Sequence, residues 1–113
     1  MSQKNSIIPL VISIVDVTEI TAATWTAFDT DGLEGACFFL RITNDSDTDV
    51  IISYDGITGH EYVPKGKTIE VNFQTNSSPG NYVAKVKKGT VLYAQGTAGQ
   101  SGYIYLAGYF HEQ

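Results

Sequence analysis

Only one cysteine, Cys37, occurs in the 113 residues, which excludes an internal disulfide. Charge is scarce as well: Asp, Glu, Lys and Arg make up 17% of the chain, against roughly a quarter in ordinary domains. Basic residues are the scarcer sign, seven against twelve acidic, for a formal net charge of −5. A nucleic-acid partner calls for a basic face that displaces phosphate counterions. The one basic cluster, Lys85, Lys87 and Lys88, fits better as a solvated strand face that discourages edge aggregation, so no nucleic acid is expected. No apolar run reaches the about 18 residues of a membrane-spanning helix, so no membrane is expected either. Residues 7–15 are apolar and follow Lys4, but Ser13 and then Asp16 interrupt them and no small-residue cleavage site follows. They read as a first strand, not a signal peptide, and synthesis in a cytoplasm is the expectation.

Helical periodicity is missing too; alternation takes its place. Seven Tyr and five Phe, with abundant Val, Ile and Thr, favour pleated, half-buried strands. Strands are predicted over residues 10–17, 20–28, 36–43, 50–54, 61–63, 68–73, 82–87, 90–95 and 103–110, with Gly-, Pro-, Asp- and Asn-rich turns between them. Asp55-Gly56 is the strongest turn signal, because Gly accepts the left-handed geometry that a tight turn requires. Eight or nine short antiparallel strands define an all-β sandwich or small barrel, with a jelly roll as the leading topology. Residues 9–113 form that single domain. Residues 1–8 form an N-terminal arm, suited to ordering on a neighbouring subunit.

Alternation also assigns faces. Ile69, Val71 and Phe73 oppose Glu70 and Asn72. On the last strand, Tyr103, Tyr105, Ala107 and Tyr109 share one face, and Ile104, Leu106, Gly108 and Phe110 the other. A strand apolar on both sides is either central and covered twice, or turns one face to a partner. The tyrosine face is therefore where function is expected.

Catalytic and ligand-binding patterns fail one by one. Cys37 lies in an apolar run and is expected to act as a small core hydrophobe. Asp45-Ser-Asp-Thr-Asp49 opens like a calcium loop, but Val50 and Gly56 stand where that loop needs glycine and an acid; it reads as a strand connection. The glycine-rich segment 96–102 leads into a strand, not the helix start that a phosphate loop needs, and is expected to be a hairpin loop. His60 and His111 form no zinc spacing with Cys37, and His60, in a polar turn, is expected to be solvated. No serine occupies a nucleophile elbow. Asp55 with Glu61 is a possible carboxylate pair for glycoside hydrolysis, yet so small a sandwich offers little cleft. Neither enzyme, metal nor cofactor is expected. Trp25, between Thr24 and Thr26 on a strand, is assigned to the core; its alternative role is stacking on sugar rings in a carbohydrate- or receptor-binding module.

The run ACFFLRITNDSDTDVIISYDG (36–56) resembles a group of small tailed-bacteriophage virion proteins, as do FQTN (73–76), KGT (88–90), GTAG (96–99) and the ending YIYLAGY (103–109). The likeness runs through residues 30–110 in the same order. It implies a non-enzymatic virion subunit, made in the host cytoplasm, that docks on other virion proteins and forms homo-oligomers. An auxiliary or decoration protein on the capsid is the first expectation, and a neck or tail ring component the second. The expected interface residues are Tyr103, Tyr105, Tyr109 and Arg41. Arg41, the sole arginine, is expected to make a bidentate carboxylate contact, within the fold by preference, or across an interface.

Overall fold

The computed structural model describes residues 6–72 and 86–111. Alternating β-branched and aromatic residues set nine strands among them: β1 (Ile7–Pro9), β2 (Ser13–Asp16), β3 (Thr26–Ala27), β4 (Cys37–Ser46), β5 (Val50–Ser53), β6 (Glu61–Val63), β7 (Thr68–Asn72), β8 (Tyr93–Gly96) and β9 (Gly102–His111). They form two antiparallel sheets packed face to face, the sandwich expected from the alternation. The larger sheet runs β1-β9-β4-β7, with β2 also paired to β9, and the smaller runs β3-β8-β5-β6. The core lies between them. Ile104 and Leu106 from β9 and Leu40 and Ile42 from β4 meet Val50, Ile52, Val63 and Ala94 of the other sheet, all buried. Each such aliphatic burial is worth about 1.5–3 kcal/mol in transfer terms, so the sandwich needs no disulfide.

Two bulges flank β9, and both re-aim side chains. On one side, β1 pairs Ile8 with Phe110 and Pro9 with Tyr109, and the Leu10 N–H donates to the Gly108 carbonyl at 2.8 Å. β2 then pairs Ser13 with Leu106. Val11 and Ile12 thus stand together opposite Ala107, so β1 and β2 are one edge strand with an extra residue. The Val11 N–H, without a ladder partner there, donates to Glu34 Oε1 at 3.0 Å. On the other side, the β4–β9 register shifts between Cys37 and Phe39. Cys37 turns fully into the core while Phe39 turns out.

Several expected boundaries move, each for a local reason. The strand predicted over 20–28 shrinks to Thr26–Ala27. The Thr21 hydroxyl accepts the Ala23 and Thr24 N–H groups, and that turn competes with the ladder. β4 instead runs on through Asn44 to Ser46. The Asn44 amide is buried and donates to the carbonyls of Thr48 at 2.8 Å and Val63 at 3.0 Å, tying the larger sheet to the smaller. Segment 97–101 is not a hairpin loop: β8 belongs to the smaller sheet and β9 to the larger, so it crosses between them. Gly102 makes that crossing possible. Its φ is +118°, and a β-carbon there would fall 2.4 Å from the Asp45 carbonyl oxygen. Ile7 and Ile8, expected in the arm, pair with His111 and Phe110; residues 1–5 lie outside those described. So do Phe73 and residues 82–85 of a predicted strand, whose Val86 bridges Cys37. The strand order among the described residues establishes a sandwich and does not establish a jelly roll.

Candidate interaction face

Register places the outer face of the larger sheet in rows across its strands. Pro9, Tyr109, Phe39 and Asn72 make one row; Ala107, Arg41 and Glu70 the next; Ile14, Tyr105, Thr43 and Thr68 a third; Asp16, Tyr103 and Asp45 the last. The four expected interface residues, Tyr103, Tyr105, Tyr109 and Arg41, thus lie on one surface. Tyr103 is 46% exposed and Ile14 54%, whereas Ile104 and Leu106 between the tyrosines are buried. β9 is central, covered on its inner face by the other sheet. No described element covers its outer face.

The aromatic side chains on this surface touch one another. The Phe39 and Tyr109 rings lie 5.8 Å apart and those of Tyr103 and Tyr105 6.3 Å, within the range of favourable tilted pairs. Ile7, Phe38, Phe39, Arg41 and Tyr109 line a shallow, almost wholly apolar depression of about 290 Å³. Arg41 has the internal partner expected for it: its Nε donates to Glu70 Oε2 at 3.2 Å, across the β4–β7 pair. Its guanidinium also stands 5.6 Å from the Phe39 ring centre. The contact uses one of five donors, so it is single, not bidentate, and the remaining N–H groups are left over. The Asp16 carboxyl, at the end of the face, sits below its ordinary pKa because the Thr18 hydroxyl and N–H donate to it.

Phe39, Ile7, Pro9 and Ile14 complete this surface and were not identified from sequence. Phe39 sits in five consecutive apolar residues, where alternation has no contrast, and the bulge at its start reverses the phase. The bulge at Val11 and Ile12 does the same for Ile14.

The other sequence candidates are dispersed. Cys37 is buried, and burial, with the Glu34 charge adding to it, pushes its thiol up to about 11; it stays protonated at neutral pH. Asp47 accepts from the Ser101 hydroxyl at 3.1 Å, and Asp49 from the Lys65 N–H at 2.9 Å, so the two carboxylates serve different loops. Asp55 Oδ1 accepts the Ser53 hydroxyl and the Ile57 and Thr58 N–H groups, at 2.8–2.9 Å, which hold its carboxyl down at about 2. Glu61 accepts the Tyr54 hydroxyl at 3.3 Å. Both carboxylates are thus engaged in shaping the 54–60 loop. His60 is exposed yet not simply solvated: its Nδ1 accepts the Tyr54 N–H at 3.1 Å, and its Nε2 is 4.0 Å from Asp55. Trp25 is not in the core. It is partly exposed, next to β3, on the outer face of the smaller sheet.

A larger concavity, about 430 Å³, lies where the β1–β2 bulge meets the 29–34 segment. Buried Phe28, Leu92 and Leu106 form its floor, and exposed Asp29, Asp31, Glu34 and Lys88 its rim. Comparison with protein-family models, with curated proteins and with solved structures finds no match.

Proposed function

We propose that this chain is a non-enzymatic bacteriophage virion subunit, an auxiliary or decoration protein of the capsid, that docks through the outer face of its larger sheet. The observation carrying this reading is the continuity of that face: three tyrosines, Phe39 and Ile14 in register, with no described element over them. Ring pairing within the sheet accounts for part of this arrangement, and the tyrosines and arginine that remain uncovered are the residue types in which interfaces are enriched. Symmetry adds to it, since a subunit repeated on a lattice needs only a modest patch per copy.

The test is incorporation. Tyr105→Asp and Tyr109→Asp should yield folded protein that is missing from gradient-purified particles, because each puts a charge where a partner would bury it. Normal incorporation of either folded variant would sink the reading. The copy ratio to the major shell protein, by mass spectrometry, separates head from tail. A simple lattice fraction means head decoration; one ring's worth means a neck or tail component.

A further inference from the structure

The smaller sheet carries a second surface of a different kind. Trp25 precedes Thr26, which pairs with Ala94, so Trp25 sits beside Gln95. Gln95 pairs with Ile51, and Ile51 with Tyr62. Indole, amide, aliphatic group and phenol therefore form one row across four strands, about 14 Å long at the usual strand spacing. Their neighbours Ala94, Ile52 and Val63 point into the core, which fixes the row on the outer face. Ile51 is 40% exposed and Tyr62 59%.

The row has room and free polar groups. The 54–60 loop folds over its inner border: Gly56 approaches the Tyr93 ring, and Gly59 approaches Ile51 and Trp25. A β-carbon at Gly59 would come within 2.5 Å of Ile51 Cγ2, so this loop lies low beside the row only because position 59 lacks a side chain. Among the described residues no buried side-chain nitrogen or oxygen lacks a partner. Among the described residues the Gln95 amide and the Trp25 indole N–H have no hydrogen-bond partner, and neither is a buried unpaired group, so both open to solvent. The Tyr62 hydroxyl is held by Asp49, which raises the Tyr62 pKa.

We infer that this row binds a neutral oligosaccharide. A sugar ring offers a C–H face to Trp25 and Tyr62, and hydroxyls, both donor and acceptor, to Gln95 and the phenol. The row bears no charge, and Asp49 beside it disfavours an anion. It is one residue row wide, with the loop on one flank, far short of the roughly 800 Å² per partner that a protein interface uses. Docking through the larger sheet would leave this face outermost. Sugar binding does not depend on that docking, and purified protein tests it alone.

Trp25 is the sole tryptophan, so its emission reports the row directly. The purified chain would be titrated with maltohexaose, cellohexaose and chitohexaose, and binding checked by calorimetry. The expected result is a saturable shift with at least one of them. Gln95→Ala and Tyr62→Ala should each weaken it about three- to tenfold, one neutral hydrogen bond's worth. No saturable shift with any of the three, from protein that melts cooperatively, overturns the inference. So does a shift that survives both substitutions, or one that follows protein concentration without sugar, which would indicate a second copy on this face.

Discussion

Asp55 and Cys37 show how far single side chains here are committed to structure. The Asp55 carboxylate takes the Thr58 and Ile57 N–H groups from its own loop and the Ser53 hydroxyl from the end of β5, which hold it down at about 2 in the fold, below the about 3.9 of an unfolded aspartate. A depressed carboxyl stabilises above its unfolded pKa and loses that contribution as pH falls through the folded one. The loop should therefore hold its amides above about pH 4 and release them towards pH 2. The check is the chemical shift of the Ile57 and Thr58 amides, which should titrate near 2; a midpoint near 4 would contradict the bonding. Cys37 has its pKa moved the opposite way, up to about 11 by burial. It should stay unreactive to a disulfide reagent at pH 8 and react fully in guanidinium. Reaction in the native state would mean the core opens there.

Among the elements, β4 and β9 carry the most. β9 is paired by β4 on one side and the bulged edge strand on the other, so both its long hydrogen-bonded margins are satisfied. Asn44 fastens β4 to the smaller sheet through two buried hydrogen bonds. Asn44→Leu overfills the site and takes the amide donor from the Val63 carbonyl and from the Thr48 carbonyl, which keeps the Ser46 hydroxyl at 3.1 Å, at a cost of about 2–4 kcal/mol. Urea unfolding would show it as a lower midpoint with an unchanged slope; an unaltered midpoint would mean those carbonyls find other donors. The alternation of β7 and β9 was legible in the sequence because polar and apolar residues take turns there. β3 is shorter than the alternation predicts, since nothing in residues 20–28 tells whether Thr21 bonds its own turn or a neighbouring strand. The β4 faces were unreadable, since five apolar residues in succession carry no phase.

As a whole the sandwich offers two outward faces of different composition: ring-rich rows on the larger sheet, and a narrower mixed row on the smaller. If each has its own task, the faces are separable. Tyr105→Asp should lose particle incorporation while keeping the Trp25 emission response to sugar, and Gln95→Ala should do the reverse. Cross-effects of equal size in both assays would mean the substitutions act through the common core. That Tyr103, Tyr105 and Tyr109 share one face was legible in sequence because they lie on one alternating strand. Trp25 was misassigned to the core. A tryptophan flanked by threonines fits either side of a strand, and the deciding fact, that its neighbour Thr26 pairs with buried Ala94, lies 68 positions away along the chain.

The sequence by itself determined the strand-rich class, the absence of an internal disulfide, and the inside and outside of strands whose residues alternate. Those follow from local periodicity and composition, which every stretch of chain carries within itself. Only the tertiary structure decided which strands share a sheet, where the two bulges shift the phase, and which residues meet in a row. These depend on register between segments far apart in sequence. A shift of one residue turns every following side chain to the other face, and no local pattern records it.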